Sequence, residues 1–268
     1  DDMYRLENGY PVDRSYWQEW FPADLITENF PGQFRNWFYA ILTMSTVLEN
    51  TPPFKVLHSY ASLRDEHGQE MHKSKGNAIW SDDAAEKVGA DVMRWMYAKH
   101  NIVQNLNFGY AAATEVKRNL LTLWNVYSFF VTYANIDGFD PAGKELDGHR
   151  LAKLDRWILS RINTLIAQCD KWYEEYDVTA VAKAVEGFFD ELSNWYVRRN
   201  RRRFWKSESD DDKQAAYLVL YECLVKLIKL ISPVMPFLAE EMYQNLVRGV
   251  DKKAAESVHL CDFPESDA

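Results

Sequence analysis

Two short stretches hold most of the side chains that could do chemistry in this 268-residue sequence. In "GQEMHKSKGNAIW", Gly68 and Gly76 bound a segment carrying Lys73, Ser74 and Lys75, with His72 alongside. Cations and hydroxyl donors on a glycine-bounded loop suit a phosphate-bearing ligand. A lone Lys-Ser-Lys is more often a solvated turn, so its surroundings must decide. In "YVRRNRRRFWK", Arg198, Arg199, Arg201, Arg202, Arg203 and Lys206 fall within nine positions. Charge runs are usually solvated faces, but arginines among aromatics are an unusual way to make one. Arginine offers a planar fork matched to phosphate and stacks on rings or bases, which lysine does not. The formal net charge is −9, which argues against indiscriminate nucleic-acid binding. The sequence reads as an acidic body with one basic rib.

The elements that must position these residues change character along the chain. With 47 % hydrophobic residues and 10 Trp, 15 Tyr and 14 Phe, the chain can bury a large core and is not disordered. Cys169, Cys223 and Cys261 form no Cys-x-x-Cys pair, which fits a reduced, cytosolic protein without a zinc or disulfide framework. "LVKLIKLISPVMPF" is broken by Lys226, Lys229 and two prolines, so no membrane span is expected. The N-terminal "DDMYRLENGY" has no signal-peptide pattern.

Residues 20–90 read as mixed α/β. "FRNWFYAILTMSTVL" has helical spacing, stopped by Pro52 and Pro53. "FKVLHSYASLRD" alternates like one strand, and the lysine loop follows. "SDDAAEKVGADVMRWMYA" reads as a helix with Ser81 as N-cap. From Thr114 nearly everything is helical, with a break at "DGFDPAGKELDGH". Leu154, Ile158, Ile162, Leu165, Cys169, Trp172 and Tyr176 mark one helical face. A second helix starts near Thr179 and runs into the arginines, a third carries Tyr217, Leu220, Leu224, Leu227 and Ile231 on one side, and Pro236 opens a fourth. Four antiparallel helices make a bundle. In the second, Arg198, Arg201, Arg202 and Trp205 share a face flanked by Arg199, Arg203 and Lys206. Some of these arginines are expected to pair with Glu191 or the acids of "SESDDDK".

Seven stretches occur in a telling order: "WFPADLI", "GQFRNWFYAILTMSTVL", "MHKSKGN", "GADVMRW", "LDRWILSRINTLI", "DELSNWYVRRNRRRFW" and "SPVMPFLAEEMYQNL". Together they resemble the class I isoleucyl-tRNA synthetases, with valyl- and leucyl-type enzymes as cousins, from about Trp20 to Phe263. The resemblance implies an α+β, mostly α fold: the C-terminal half of a Rossmann-like catalytic domain followed by a helical anticodon-binding bundle. It implies that the lysine loop corresponds to the K-M-S-K-S motif, which closes on ATP and stabilises departing pyrophosphate. Met71, Lys73, Ser74, Gly76 and Asn77 match that motif; Glu70 stands where the first lysine usually is, and His72 where serine is. Lys73, aligned with the second lysine, is the catalytic candidate, and Lys75 lies one position beyond. "ENFPGQFRNWFY" resembles E-G-x-D-Q-x-R-G-W-F, which makes Glu28 and Gln33 adenylate contacts and Trp37 a wall of the aliphatic pocket. Gly32 replaces the aspartate there and Asn36 a glycine. Tyr60 and Ala61 stand where many relatives have His-Gly. Arg198, Arg199, Arg201, Arg202, Arg203 and Trp205 are the candidate tRNA contacts.

None of the six histidines forms the family's H-x-G-H, and the editing insertion is absent. The chain is therefore expected to be a fragment, inactive alone: 1–90 the later part of the catalytic domain, 91–150 a helical connection, 151–268 the anticodon-binding bundle. The implied partners are isoleucine tRNA and, in the full enzyme, isoleucine and ATP with Mg2+ carried on the nucleotide. No protein-bound metal and no membrane are expected, and a cytoplasmic monomer is. The alternatives are a valyl-type ligase and a non-catalytic RNA-binding paralogue, for which Glu70, His72 and Gly32 are the best support.

Overall fold

The computed structural model describes residues 13–30, 32, 34–144, 146, 149–205 and 210–267. The chain packs as two compact units. One takes the residues up to Ala78 together with Asn101–Phe108, and the other takes Ile79–His100 with Gly109–Ala268. The sequence divisions at 90 and 150 follow changes of composition, whereas this division follows packing.

In the first unit, α1 (Arg14–Trp20) leads to strand β1 (Ala23–Asn29), helix α2 (Tyr39–Glu49) and strand β2 (Phe54–Tyr60). β1 and β2 pair in parallel from Ala23 opposite Phe54 to Asn29 opposite Tyr60, so α2 is the crossover that parallel strands need. A wide turn at Phe34–Phe38, with Asn36 outside helical geometry, precedes α2. The helix ends before the prolines reach it, because Asn50 takes a left-handed conformation (φ 51°). The expected single strand over 54–65 changes partner midway. After β2, Ala61 donates to Ile102, and β3 (Leu63–Arg64) pairs with β4 (Leu106–Asn107).

The second unit is helical. The stretch from Ser81 is two helices, α3 (Ser81–Val88) and α4 (Ala90–Lys99). They are parted by Gly89, whose φ of 101° a helix cannot contain. Ser81 is the first helical residue, and Trp80 holds the cap position without a side-chain capping bond. Then follow α5 (Tyr110–Asp137), α6 (Lys153–Glu174), α7 (Val178–Asp190), α8 (Arg198–Trp205), α9 (Asp210–Ile231) and α10 (Pro236–Tyr243). α6 buries Ile158, Ile162, Leu165 and Cys169 as expected, but Tyr176 lies past its end at φ 59°. Helix α9 is buried nearly all round rather than on one side, the signature of a central helix. Pro236 sits in the first turn of α10, where the free amides of Phe237 and Leu238 donate to Asp91 of α4 at 3.4 and 2.6 Å. From the same helix, Arg94 donates to the carbonyls of Pro233 and Val234.

Helices α7 and α8 form one rod, joined by a π-helical stretch at Glu191–Val197. Phe188, Leu192, Tyr196, Asn200 and Phe204 repeat every four residues and are all buried. In an α-helix such a repeat drifts by about 40° per step. The wider π turn slows that drift and keeps the row facing the core.

Candidate phosphate loop and nucleic-acid interface

Glu28 lies near the carboxyl end of β1, opposite Ser59, and Tyr60 ends β2. The carboxyl ends of parallel strands are where open α/β sheets bind ligands. Glu28 is only 4 % exposed. Its Oε1 accepts from the Asn29 amide at 2.7 Å, but Oε2 is buried with no hydrogen-bond partner among the described residues. A buried carboxylate oxygen is costly to leave unmatched and needs an explanation such as a ligand. Trp37 is 42 % exposed and stands edge-on to Phe38, which is buried against Phe34 and Phe54. At Gly32 a Cβ would meet Asn29 Oδ1 at 2.6 Å, because that amide is engaged with the Tyr60 carbonyl. Gln33 lies outside the described residues.

The lysine loop follows β3. Asp65 accepts the amides of His67 (3.0 Å) and Gln69 (2.8 Å) and the Asn77 side-chain amide (2.8 Å). Asn77 also donates to the Glu70 carbonyl (3.1 Å) and accepts from the His72 amide (2.9 Å). One asparagine thus latches both ends of the loop. The Asn77 bond, then the Gln69 amide, hold the Asp65 carboxyl below its usual range. Gly68 (φ 76°) and Gly76 (φ 70°) supply the left-handed corners. Between them Lys73–Lys75 form one 3₁₀ turn, with Lys73, Ser74 and Lys75 exposed. Met71 is half-buried beside it. Glu70, where a lysine was the family pattern, places its carboxylate 3.4 Å from His72 and 3.9 Å from Arg64. The turn can present two ammonium groups and a hydroxyl to an anion, on a frame that is hydrogen-bonded behind it.

In the helical unit, the rod exposes Arg198, Arg199, Arg201, Arg202 and Trp205. Among the described residues no hydrogen bond or ion pair engages the side chains of Arg198, Arg201 or Arg202. Trp205 is 53 % exposed, its ring 6.0 Å from that of Tyr133. Lys206 lies outside the described residues.

Arg203, expected with the other arginines at the RNA face, turns inward instead. Its guanidinium grips the fully buried Asp155 at 2.7 and 2.9 Å and Asp212 at 2.8 and 3.0 Å. Asp155 also accepts from the Tyr196 hydroxyl (2.8 Å) and the Ala152 amide (2.8 Å), closing the start of α6. Burial works against the charge of Arg203, but its bonds to the two aspartates outweigh it and hold the proton more firmly than usual. Glu191, an expected partner of the rib, is bonded instead to Arg161 of α6 at 2.9 and 3.0 Å. Sequence reasoning missed Asp155 and Trp195. For Asp155 the acid in the first turn of an apolar stripe was the available signal.

Among the described residues no group of three or more His, Cys, Asp or Glu could hold a metal ion, and no helix is long and apolar enough to cross a membrane.

Both parts of the chain resemble known proteins. A family model described as "tRNA synthetases class I (I, L, M and V)" matches residues 3–109, and one described as "Anticodon-binding domain of tRNA ligase" matches residues 155–268. An isoleucine–tRNA ligase of Dehalococcoides mccartyi is 49 % identical over 249 residues, covering 92 % of this chain and 24 % of the relative. One from Thermus thermophilus is 44 % identical over 262 residues, covering 96 % of this chain and 25 % of the relative. The chain spans about a quarter of the length of the curated relatives it matches. Among solved structures, a LeuRS–tRNA–LeuAMS ternary complex from Agrobacterium radiobacter K84 superposes with a TM-score of 0.73 at 16 % identity, covering 96 % of this chain and 30 % of that one. The Mycobacterium tuberculosis methionyl-tRNA synthetase in complex with methionyl-adenylate gives 0.70 at 22 %, covering 88 % and 46 %. At these identities the likeness is one of fold.

Proposed function

Because the chain belongs to the class I tRNA synthetases of the I, L, M and V group, we propose that it is part of an isoleucine–tRNA ligase. The single observation that carries this reading is the identity to isoleucine–tRNA ligases over nine-tenths of the chain. In the reaction, a carboxylate oxygen of isoleucine attacks the α-phosphorus of ATP, which enters as its magnesium complex. The bond to the β-phosphate breaks and pyrophosphate leaves. A ribose hydroxyl of the tRNA 3′-terminal nucleotide then attacks the acyl carbon and gives up its proton as AMP departs.

Lys73 neutralises the charge that gathers on the leaving pyrophosphate, delivered by a turn that Ser74, Gly76 and Asn77 shape and Met71 seats. A cation placed in advance of that charge lowers the barrier most. Glu28 and Gln33 contact the adenylate, and the unmatched Oε2 of Glu28 supports this role. Trp37 walls the aliphatic pocket. Arg198, Arg199, Arg201, Arg202 and Trp205 meet isoleucine tRNA, while Arg203 holds their helix in place. Residues 1–90 belong to the catalytic domain, 91–150 connect, and 151–268 form the anticodon-binding bundle of a cytoplasmic monomer. The uncovered apolar residues of β2 support a unit that works inside a larger catalytic sheet, so the chain alone is inactive.

Pyrophosphate exchange tests this reading. A longer protein containing the chain is expected to exchange pyrophosphate with isoleucine in preference to valine, and Lys73→Ala to slow it by roughly 10²–10³-fold. The chain alone is expected to show no exchange above a blank. Valine preference would move the assignment to a valyl-type ligase. Binding of tRNA without exchange would favour a non-catalytic RNA-binding paralogue, the reading for which Glu70 speaks. An unchanged rate in Lys73→Ala would remove the catalytic role of the loop.

A further inference from the structure

The outward row of the rod begins one turn before the arginines. Trp195 stands on the π-helical stretch, 48 % exposed. The Arg199 guanidinium lies over its ring, 4.3 Å from the centroid. Within α8 the spacings i, i+3 and i+4 set Arg202 beside Arg199 and Arg198, so these arginines continue the row from the Trp195 ring. The opposite side of the rod holds Tyr196, Asn200 and Phe204, all buried. Among the described residues no other aromatic ring stacks on Trp195.

A face that only needs to be wet has no use for a large, half-exposed indole, since polar side chains serve water better. An indole backed by a guanidinium is a flat, electron-rich plate edged with positive charge. Its complement is another flat ring attached to a phosphate chain. Unpaired RNA bases offer that combination, whereas a duplex keeps its base faces stacked and out of reach. We infer that Trp195 and Arg199 form a stacking platform for an unpaired base of RNA, with Arg198 and Arg202 holding the neighbouring phosphates. This rests on the RNA-binding reading above, and adds the residue pair that stacks the base.

The purified chain is titrated, across a salt series, with two labelled RNAs: a hairpin with an unpaired loop, and a blunt duplex of matched length. The hairpin is expected to bind more tightly. Trp195→Ala should lose about ten-fold in hairpin affinity, with duplex affinity and the slope of log affinity against log salt unchanged. Trp195→Phe should recover most of the loss and Trp195→Leu little of it. That pair of apolar variants carries the test if the alanine variant fails to fold. Arg198→Ala/Arg202→Ala should instead flatten the slope by about one to two units on both RNAs. Wild-type hairpin affinity in folded Trp195→Ala, equal loss on both RNAs, or equal binding by the Phe and Leu variants would overturn the platform and leave RNA binding standing. An unchanged slope in the arginine variant, or no binding of either RNA by the wild type, would overturn the RNA reading and the platform with it.

Discussion

At the scale of single residues, the pair of aspartates around Arg203 separates a structural arginine from its exposed neighbours. Asp155 is fully buried, so removing its charge leaves the guanidinium with only the more exposed Asp212 as a counter-charge. Breaking one side of a buried pair costs about 3–5 kcal/mol. Asp155→Asn is therefore expected to lower the urea midpoint strongly at unchanged m-value. Arg203→Lys should fall between it and wild type, because an ammonium cannot span Asp155 and Asp212 with a fork. A midpoint unmoved by Asp155→Asn would remove the buried pair from the stability of the bundle. In the lysine loop the corresponding anchor is Asp65, whose carboxyl is held below its usual range by Asn77 and then Gln69. A depressed carboxyl contributes above its ordinary pKa of about 3.9 and is lost as pH falls through the lower folded value. Protection of the His72 amide against exchange is thus expected to persist to pH values at which ordinary aspartates are already protonated, and then to collapse. Asn77→Ala should remove that protection at every pH. An amide equally protected in Asn77→Ala would show that the loop is latched elsewhere.

At the scale of elements, backbone geometry decides where the helices stop. Gly89 divides α3 from α4 at φ 101°, a conformation L side chains rarely adopt. A Cβ there would meet nothing closer than Val92 at 3.9 Å, so the obstacle is torsional strain rather than crowding. Gly89→Ala is expected to cost about 1–3 kcal/mol, read as a lower thermal midpoint of the helical unit. A neutral result would mean that α3 and α4 can fuse. The continuous helical pattern from Ser81 was legible, but the break was not, since an isolated glycine is tolerated in many helices. Asn50 tells the same lesson from the other side. The prolines after it forbid a longer helix, yet the left-handed asparagine ends α2 first.

At the scale of the whole molecule, burial is distributed unequally. β2 and α1 bury no residue, β1 buries only Glu28, and α2 buries only Ser45. Val56 and Leu57 of β2 stand exposed, although parallel sheets are ordinarily covered on both faces. Helix α9, in contrast, buries most of its length. Amides of β1 and β2 are therefore expected to exchange orders of magnitude faster than those of α9, by mass spectrometry on the intact chain. Equal protection would mean that something covers the strands. The sequence by itself determined what depends on near neighbours: helical periodicity after Thr114, the glycine-bounded lysine turn, the arginine cluster and the family motifs. Only the tertiary structure decided which of those side chains remain available. Arg203 and Asp155 are 48 positions apart and meet because α7 and the π-helical stretch of the rod pack along α6, which removes one arginine from the exposed row. The π turn rephases the rod and leaves Trp195 facing outward, and the pairing of β1 with β2 buries Glu28 with an oxygen unmatched. Residue type and spacing set the chemistry a side chain can offer, but its solvent and partners come from segments distant in sequence, which no local pattern encodes.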